Sequence, residues 1–384
     1  MAAPTPFLPG TLGELDLTTS AFRTWLDATR ARQYGLDVGH RPVILLGAGS
    51  LLAADFVAYM IATGRVVALV DNHRAGQTYG DTPYIGDADL ADVLAKTPDA
   101  IGILCCGSEN AIAHFTTLWS VRPQPLLSYF EVMSLVPASA SKAHWFVPAF
   151  SDLDMVVRLH EKARPAFADD MSRRTLDAIM LYRLTWDARY IAEVSRAEKA
   201  IYFEADVMPL TDHEIFVDGG AYNGDTVHAF QQKTNGKYSH IHSFEIDPVN
   251  CDAFAANTRD LPNVTLHRVG LWNEPAEMGI DLRSDNGSRI SAASTITAPL
   301  DAMDNMDLGA VSLIKLDIEG AENQALNGAR RLIQTHRPRL AICAYHKPDD
   351  FETLLDTLSS LRDDYRLTLR HYSPILFDSV IYAN

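Results

Sequence analysis

The stretch Glu214-Ile-Phe-Val-Asp-Gly-Gly-Ala-Tyr-Asn-Gly-Asp-Thr226 constrains the fold of this chain more than any other. An apolar run from Ile215 to Val217 ends on Asp218 and breaks into a turn carrying Gly219, Gly220 and Gly224, after which apolar residues return at helical spacing up to Phe230. The pattern predicts strand, glycine turn, helix. Glycine is needed where the backbone takes φ > 0 or lies against a ligand with no Cβ in the way. Parallel α/β sheets bind ligands in the crevice at the carboxyl ends of their strands, so the turn is expected to hold a small molecule.

The spacing narrows which molecule. A dinucleotide turn reads G-x-G-x-x-G and seats a pyrophosphate on a helix N-terminus. Here the run is Asp-x-Gly-x-x-x-Gly, and a carboxylate at the strand end repels phosphate but suits a cation. Downstream, His242-Ser-Phe-Glu-Ile-Asp-Pro248 predicts a second strand ending in acids, with Glu245 where such a sheet grips a ribose diol. A positive group at Asp218 and a ribose at Glu245 together suit S-adenosylmethionine, which carries an ammonium, a sulfonium and no phosphate. Asp218, Gly219, Gly220, Gly224, Asp225, Glu245 and Asp247 are the expected cofactor-binding residues, with Asp218 and Glu245 pointing into the crevice.

The rest of the chain is read as an α/β protein with two Rossmann-like domains. Residues 1–40 form a polar lead-in with one helix, Ala21 to Gln33, whose apolar positions are too sparse for a core. Residues 41–130 form the first domain: strand Arg41 to Leu46, a Gly47-Ala-Gly49 turn, helix Leu51 to Thr63, and strand Arg65 to Val70 closed by Asp71. Leu52 stands at the third glycine position of a dinucleotide fingerprint, so the match is partial. An NAD-linked or nucleotide-sugar-binding protein centred on Gly47, Gly49 and Asp71 is the alternative function. Residues 131–200 lose the strand signal and are expected to be a helical connector, with helices Leu153 to Lys162, Met171 to Trp186 and Tyr190 to Lys199. The second domain is 201–384.

Beyond Glu245, Gly270-Leu-Trp-Asn273 falls where an adenine ring would lie, and the Ser- and Gly-rich run from Arg283 to Ser294 reads as a loop or a lid. Val311-Ser-Leu-Ile-Lys-Leu-Asp-Ile-Glu-Gly-Ala-Glu322 is a buried strand with acids at its end, and Lys315 within it is expected to be an ion-pair partner. Strand Arg339 to Tyr345 runs into His346, and strands Tyr365 to Tyr372 and Asp378 to Ala383 close the sheet as an edge hairpin. No metal is expected, although Asp317, Glu319 and Glu322 are oxygen donors of the kind divalent ions take.

A net charge of −16 excludes binding through nucleic-acid phosphates, which needs clustered Lys and Arg. Hydrophobic and charged fractions of 47% and 21% are those of a globular chain. No apolar run approaches the roughly 20 residues that span a bilayer, and the first residues lack a basic segment before an apolar one. Four cysteines without disulfide or C-x-x-C spacing point to a reducing cytoplasm. The partner is expected to be a small molecule or a glycan, with no nucleic acid and no membrane. A homo-oligomer is compatible with all of this.

With the glycine turn, Phe244-Glu-Ile-Asp-Pro248, Ile314-Lys-Leu-Asp-Ile-Glu-Gly-Ala-Glu322 and Ala344-Tyr-His-Lys347 together, the chain from about Tyr202 to its end resembles the FkbM-type methyltransferases. The resemblance implies a Rossmann-like sheet ending in an antiparallel strand pair and S-adenosylmethionine-dependent methylation of a hydroxyl on a sugar or polyketide. It also implies that Asp218, Gly220, Gly224 and Glu245 line the cofactor, and that Asp317 and Glu319 sit at the mouth of the site. Tyr222 departs from the class by standing where a third glycine is common. A hydroxyl needs a base titrating near 7, which favours histidine. His346, with Asp317 and Glu319, is the expected catalytic group, and His371 in the closing hairpin is its rival.

Overall fold

Short apolar strands alternating with helices build two separate, mostly parallel sheets. The computed structural model describes residues 16–34, 40–50, 53–136, 147–281, 289–290, 294 and 296–384. Its chain divides into two compact units, Met1–Arg158 with Asp177–Glu193 and Leu159–Leu176 with Val194–Asn384.

In the first unit, strands β1 (Val43–Leu46), β2 (Val66–Val70), β3 (Thr78–Tyr79), β4 (Thr82–Ile85), β5 (Ile101–Leu104) and β6 (Leu126–Ser128) form a sheet in the order β3-β4-β2-β1-β5-β6. All pairings are parallel except β3 with β4. Every residue of central β1 is buried, as an apolar run covered on both faces requires. The expected acid of the dinucleotide pattern lies back across its own turn: a Cβ on Gly49 would stand 2.0 Å from the Asp71 carboxylate. Leu52, the defective fingerprint position, lies outside the described residues. The lead-in helix spans Ser20–Tyr34 and is less polar in its role than its sequence, since Phe22 and Leu26 on it are buried. The expected helix Tyr190 to Lys199 is confined to Ala188–Ala192.

The second unit carries strands β7 (Ile215–Gly219), β8 (His240–Phe244), β9 (Val264–His267), β14 (Leu313–Leu316), β15 (Arg339–Cys343), β16 (Leu367–His371) and β17 (Ser379–Ala383), in the order β16-β17-β15-β14-β7-β8-β9. Only β17 runs antiparallel to its neighbours β15 and β16, which is the expected closing hairpin. Between β9 and β14, strands β10 (Gly270–Leu271), β11 (Ala276–Asp281), β12 (Arg289–Ile290) and β13 (Thr297–Asp301) make a small second sheet. Of the expected lid, residues 283–288 and 291–293 lie outside the described residues. Arg289 and Ile290 pair antiparallel with Asp281 and Ile280.

Register and caps place the strand ends. Lys315 on β14 lies directly opposite Asp218 on β7, and Phe244 on β8 lies opposite Gly219. Gly224 caps helix Asp225–Lys233 with φ of 91°, and Asp247 caps helix Pro248–Thr258 by accepting from Val249 N–H at 2.8 Å, with proline at the first turn. The four cysteines are buried and form no disulfide. No helix among the described residues is long and apolar enough to cross a membrane.

Candidate active site

The strand that ends on the glycine turn opens at its carboxyl end into a cavity of about 560 Å³, lined wholly by the second unit. A cavity of that size at that place is where a doubly wound sheet takes a small ligand. On the β8–β9 side of β7 the lining is Phe244, Ile246, Val269, Leu271 and Leu300, an apolar slot that also holds Glu245. The other side carries Tyr202, Asp317, Glu319, Tyr345 and Asp378.

Backbone strain is concentrated here. Eight described residues other than glycine have positive φ, and four of them line the cavity: Tyr202 (66°), Tyr222 (45°), Glu319 (56°) and Asp378 (62°). Such conformations cost on the order of 1–3 kcal/mol each and persist where the surrounding structure enforces them, most often at functional sites. Tyr222 therefore takes the left-handed conformation that a third glycine would have supplied. Gly220, at φ of 76°, cannot be replaced at all without movement, because its Cβ would stand 1.9 Å from the Asp317 carbonyl oxygen.

Glu245 is fixed by the backbone around it. One carboxylate oxygen accepts from Ile246 and Asp247 N–H, both at 2.8 Å, and the other accepts from Tyr222 N–H at 2.9 Å. A carboxylate offers about four acceptor positions, so one remains toward the cavity, enough for a ribose hydroxyl. Burial raises the Glu245 pKa against the pull of those three amides.

The other expected cofactor residues divide. Gly220 and Asp225 line the cavity with Glu245. Asp218 does not: it is fully buried and spends its charge on Lys315, with Oδ1 3.1 Å from Nζ. The reason is register, since the two residues are paired across neighbouring strands. Gly219, Gly224 and Asp247 likewise lie behind the cavity wall, two of them packed against side chains and the third serving as a helix cap. Burial pushes the Asp218 carboxyl up to about 6 against the attraction of Lys315. For Lys315, burial alone would lower the pKa, but Asp218 and Asp317 outweigh it and hold it above its ordinary value. The ammonium also donates to the carbonyls of Gly219 (3.0 Å) and Gly220 (2.8 Å) and lies 5.2 Å from the Tyr202 ring centre. Lys315 is thus the expected ion-pair partner and also the clamp that shapes the glycine turn.

Asp317 and His346 come together as expected, but in a closed network. Asp317 accepts from the Tyr202 hydroxyl at 2.7 Å and the Tyr345 hydroxyl at 3.0 Å. His346 Nε2 lies 3.3 Å from Asp317 and 4.0 Å from Glu319, while Nδ1 lies 3.0 Å from Glu322. Glu322 in turn accepts from Ile318 N–H at 2.9 Å. Burial would lower the His346 pKa, yet Glu322, Glu319 and Asp317 outweigh it and hold the imidazole well above its ordinary value. Burial raises Asp317, and His346 with Lys315 more than reverses this, leaving it far below the usual carboxylate range. The His346 side chain is only 7% exposed, and it does not line the cavity. The structure therefore corrects the expectation that it titrates near 7 as a base. Its rival fares no better: His371 is fully buried on β16, with Nδ1 2.9 Å from Ser379 Oγ.

Asp317, Glu322 and His346 bring one donor atom each within 4.8 Å of one another, close enough for a metal ion. Asp317 also accepts from two hydroxyls and Glu322 from backbone amides, while His346 lies between the two acids. Sequence reasoning missed Tyr202, Tyr345 and Asp378. Tyr345 lay inside a quoted motif without a role, and Asp378 stood in a chain segment with no motif at all.

Residues 218–372 match the family model for the methyltransferase FkbM domain. Among solved structures, the chain is similar to the methyltransferase FkbM from Methylobacillus flagellatus KT, at 24% identity and a TM-score of 0.70 over 93% of this chain and 98% of that one. A likeness at this identity shows a shared fold. An rRNA methylase from Streptococcus thermophilus aligns at 15% identity and a TM-score of 0.32, over 47% of this chain and 89% of that one. No curated protein matches the sequence. The match to the methyltransferase FkbM model ends one strand short of the C-terminus and falls within the unit that owns the cavity.

Proposed function

We propose that this protein is an S-adenosylmethionine-dependent O-methyltransferase acting on a hydroxyl of a carbohydrate or natural product. The observation that carries the reading is the cavity at the carboxyl ends of β7, β8 and β14, with an apolar slot and Glu245 on one side and a polar, strained rim on the other. The residues fit the cofactor: the slot suits an adenine, the spare acceptor position of Glu245 suits a ribose hydroxyl, and Gly220 lines the cavity with its backbone. When bound, the cofactor supplies an activated methyl group on a positively charged sulfur.

The chain's own residues do the rest. Lys315 locks the glycine turn through two carbonyls, so the wall on which the donor rests is set before binding. Asp317, held ionised between two tyrosine hydroxyls and His346, keeps a fixed negative charge beside the cavity. That charge favours a cationic donor. Holding donor and acceptor in line in such a cavity supplies proximity and orientation. Calorimetry with S-adenosylhomocysteine tests the reading, followed by transfer of labelled methyl from S-adenosylmethionine to a panel of methyl glycosides and polyketide alcohols. Micromolar binding and a labelled ether product are expected. A folded protein that binds neither nucleoside at millimolar concentration sinks the reading.

A further inference from the structure

The rim of the cavity opposite the adenine slot holds four carboxylates, Glu198, Asp317, Glu319 and Asp378. Three of them are poor proton acceptors for a hydroxyl. Asp317 has both oxygens on tyrosine hydroxyls and pairs with His346. Glu319 lies 4.0 Å from the same imidazole. Glu198 is exposed to solvent, whereas the other three are partly buried.

Asp378 differs from all three. It lies at the entry to β17, half-buried, with φ of 62°, and its carboxylate makes no hydrogen bond or ion pair among the described residues. The turn that holds it there is fixed from outside: its own carbonyl accepts from Tyr372 N–H at 3.0 Å across the hairpin. A left-handed aspartate is strained, and this one lines the cavity together with Glu198, Asp317 and Tyr345.

We propose that Asp378 is the general base of the methyl transfer, the group that takes the proton of the acceptor hydroxyl; this rests on the methyltransferase reading above. The Asp378 carboxylate removes the hydroxyl proton as the acceptor oxygen forms its bond to the methyl carbon. The electron pair of the breaking carbon–sulfur bond returns to sulfur, which loses its positive charge. The products are a methyl ether, a neutral thioether and a protonated Asp378, which gives its proton to solvent.

The surrounding charges suit that task. Burial, then Asp317 and Glu198, raise the Asp378 carboxyl, with His346 pulling the other way, to about 7. Tyr202 and Tyr345 face it as neutral hydroxyls, since burial and Asp317 hold both well above their ordinary pKa. A base of that strength balances availability at neutral pH against driving force for proton removal.

The test uses the full chain with Asp378→Asn and Asp378→Ala. Infrared difference titration of wild type against Asp378→Asn, with S-adenosylhomocysteine bound, should show one carboxyl titrating near 7. With the methyl-glycoside panel as acceptors, Asp378→Asn should lower kcat by about 10²–10⁴-fold and remove the acidic limb of the pH–rate profile, while S-adenosylhomocysteine affinity stays near wild type. A variant that keeps its rate and its acidic limb overturns the proposal. So does a carboxyl that titrates near 4, which decides the matter even if no probe in the panel is methylated. Failure of the wild type to bind S-adenosylhomocysteine overturns the methyltransferase reading itself and is seen before any variant is made.

Discussion

Asp218 and Gly220 stand two positions apart and are kept for different reasons. Gly220 is where backbone must run with φ of 76° against the Asp317 carbonyl. Gly220→Ala should therefore destabilise the protein by more than the roughly 1–3 kcal/mol of a left-handed alanine and lower S-adenosylhomocysteine affinity at least tenfold; thermal melting and calorimetry read the two effects. Asp218 faces Lys315 with both side chains inaccessible. Asp218→Ala leaves a buried ammonium without its carboxylate, a change that typically costs about 3–5 kcal/mol, so loss of fold should precede any specific effect on binding. Replacing both partners, Asp218→Leu with Lys315→Met, should recover much of that stability. If the single variant is as stable as wild type in urea, the pair is not what holds these strands.

At the scale of elements, the closing hairpin is tied to a segment far away in sequence. Arg370 on β16 pairs with Asp169 at 3.0 Å and bonds Ser172 at 2.9 Å, while Ser172 Oγ also accepts from Leu369 N–H at 2.8 Å. Burial raises the Asp169 carboxyl, but Arg370 and Ser172 outweigh it and bring it down to about 2 from 3.8. A depressed carboxyl stabilises the fold above its unfolded pKa and loses that contribution as pH falls through the folded one. The window here runs from about pH 4 down to about 2, with roughly 2 kcal/mol at stake. Asp169→Asn should be less stable than wild type at pH 6, and the gap should narrow at pH 3. A gap in urea unfolding that is the same at both pH values would remove Asp169 from the account.

At the scale of the molecule, the second unit takes Leu159–Leu176 from upstream of its main body. A fragment beginning at Ser195 lacks Asp169, Ser172 and also Lys162, which reaches Asp356 at 2.5 Å and Glu352 at 3.4 Å. A fragment beginning at Leu159 keeps them. Both hold every residue that lines the cavity, so both should bind S-adenosylhomocysteine, and the longer one should melt several degrees higher. Equal melting temperatures would mean that the upstream segment adds nothing to this unit.

The sequence by itself determined the strand, glycine turn and helix, the parallel sheet with its antiparallel closing pair, and the place of the site. Each follows from local rules: apolar runs of strand length, glycines at positions of positive φ, acids and a proline at helix starts. Tertiary structure decided which acids face the ligand. Asp218 and Glu245 are alike in sequence, each an acid at a strand end. Cross-strand register turned Asp218 onto Lys315, while three backbone amides held Glu245 at the cavity edge. His346 reached the strand ends as its position required, but acids from the turn and helix after β14 closed around it. Asp378 was invisible because its environment is assembled from Glu198, Asp317 and His346, parts of the chain that only folding brings together.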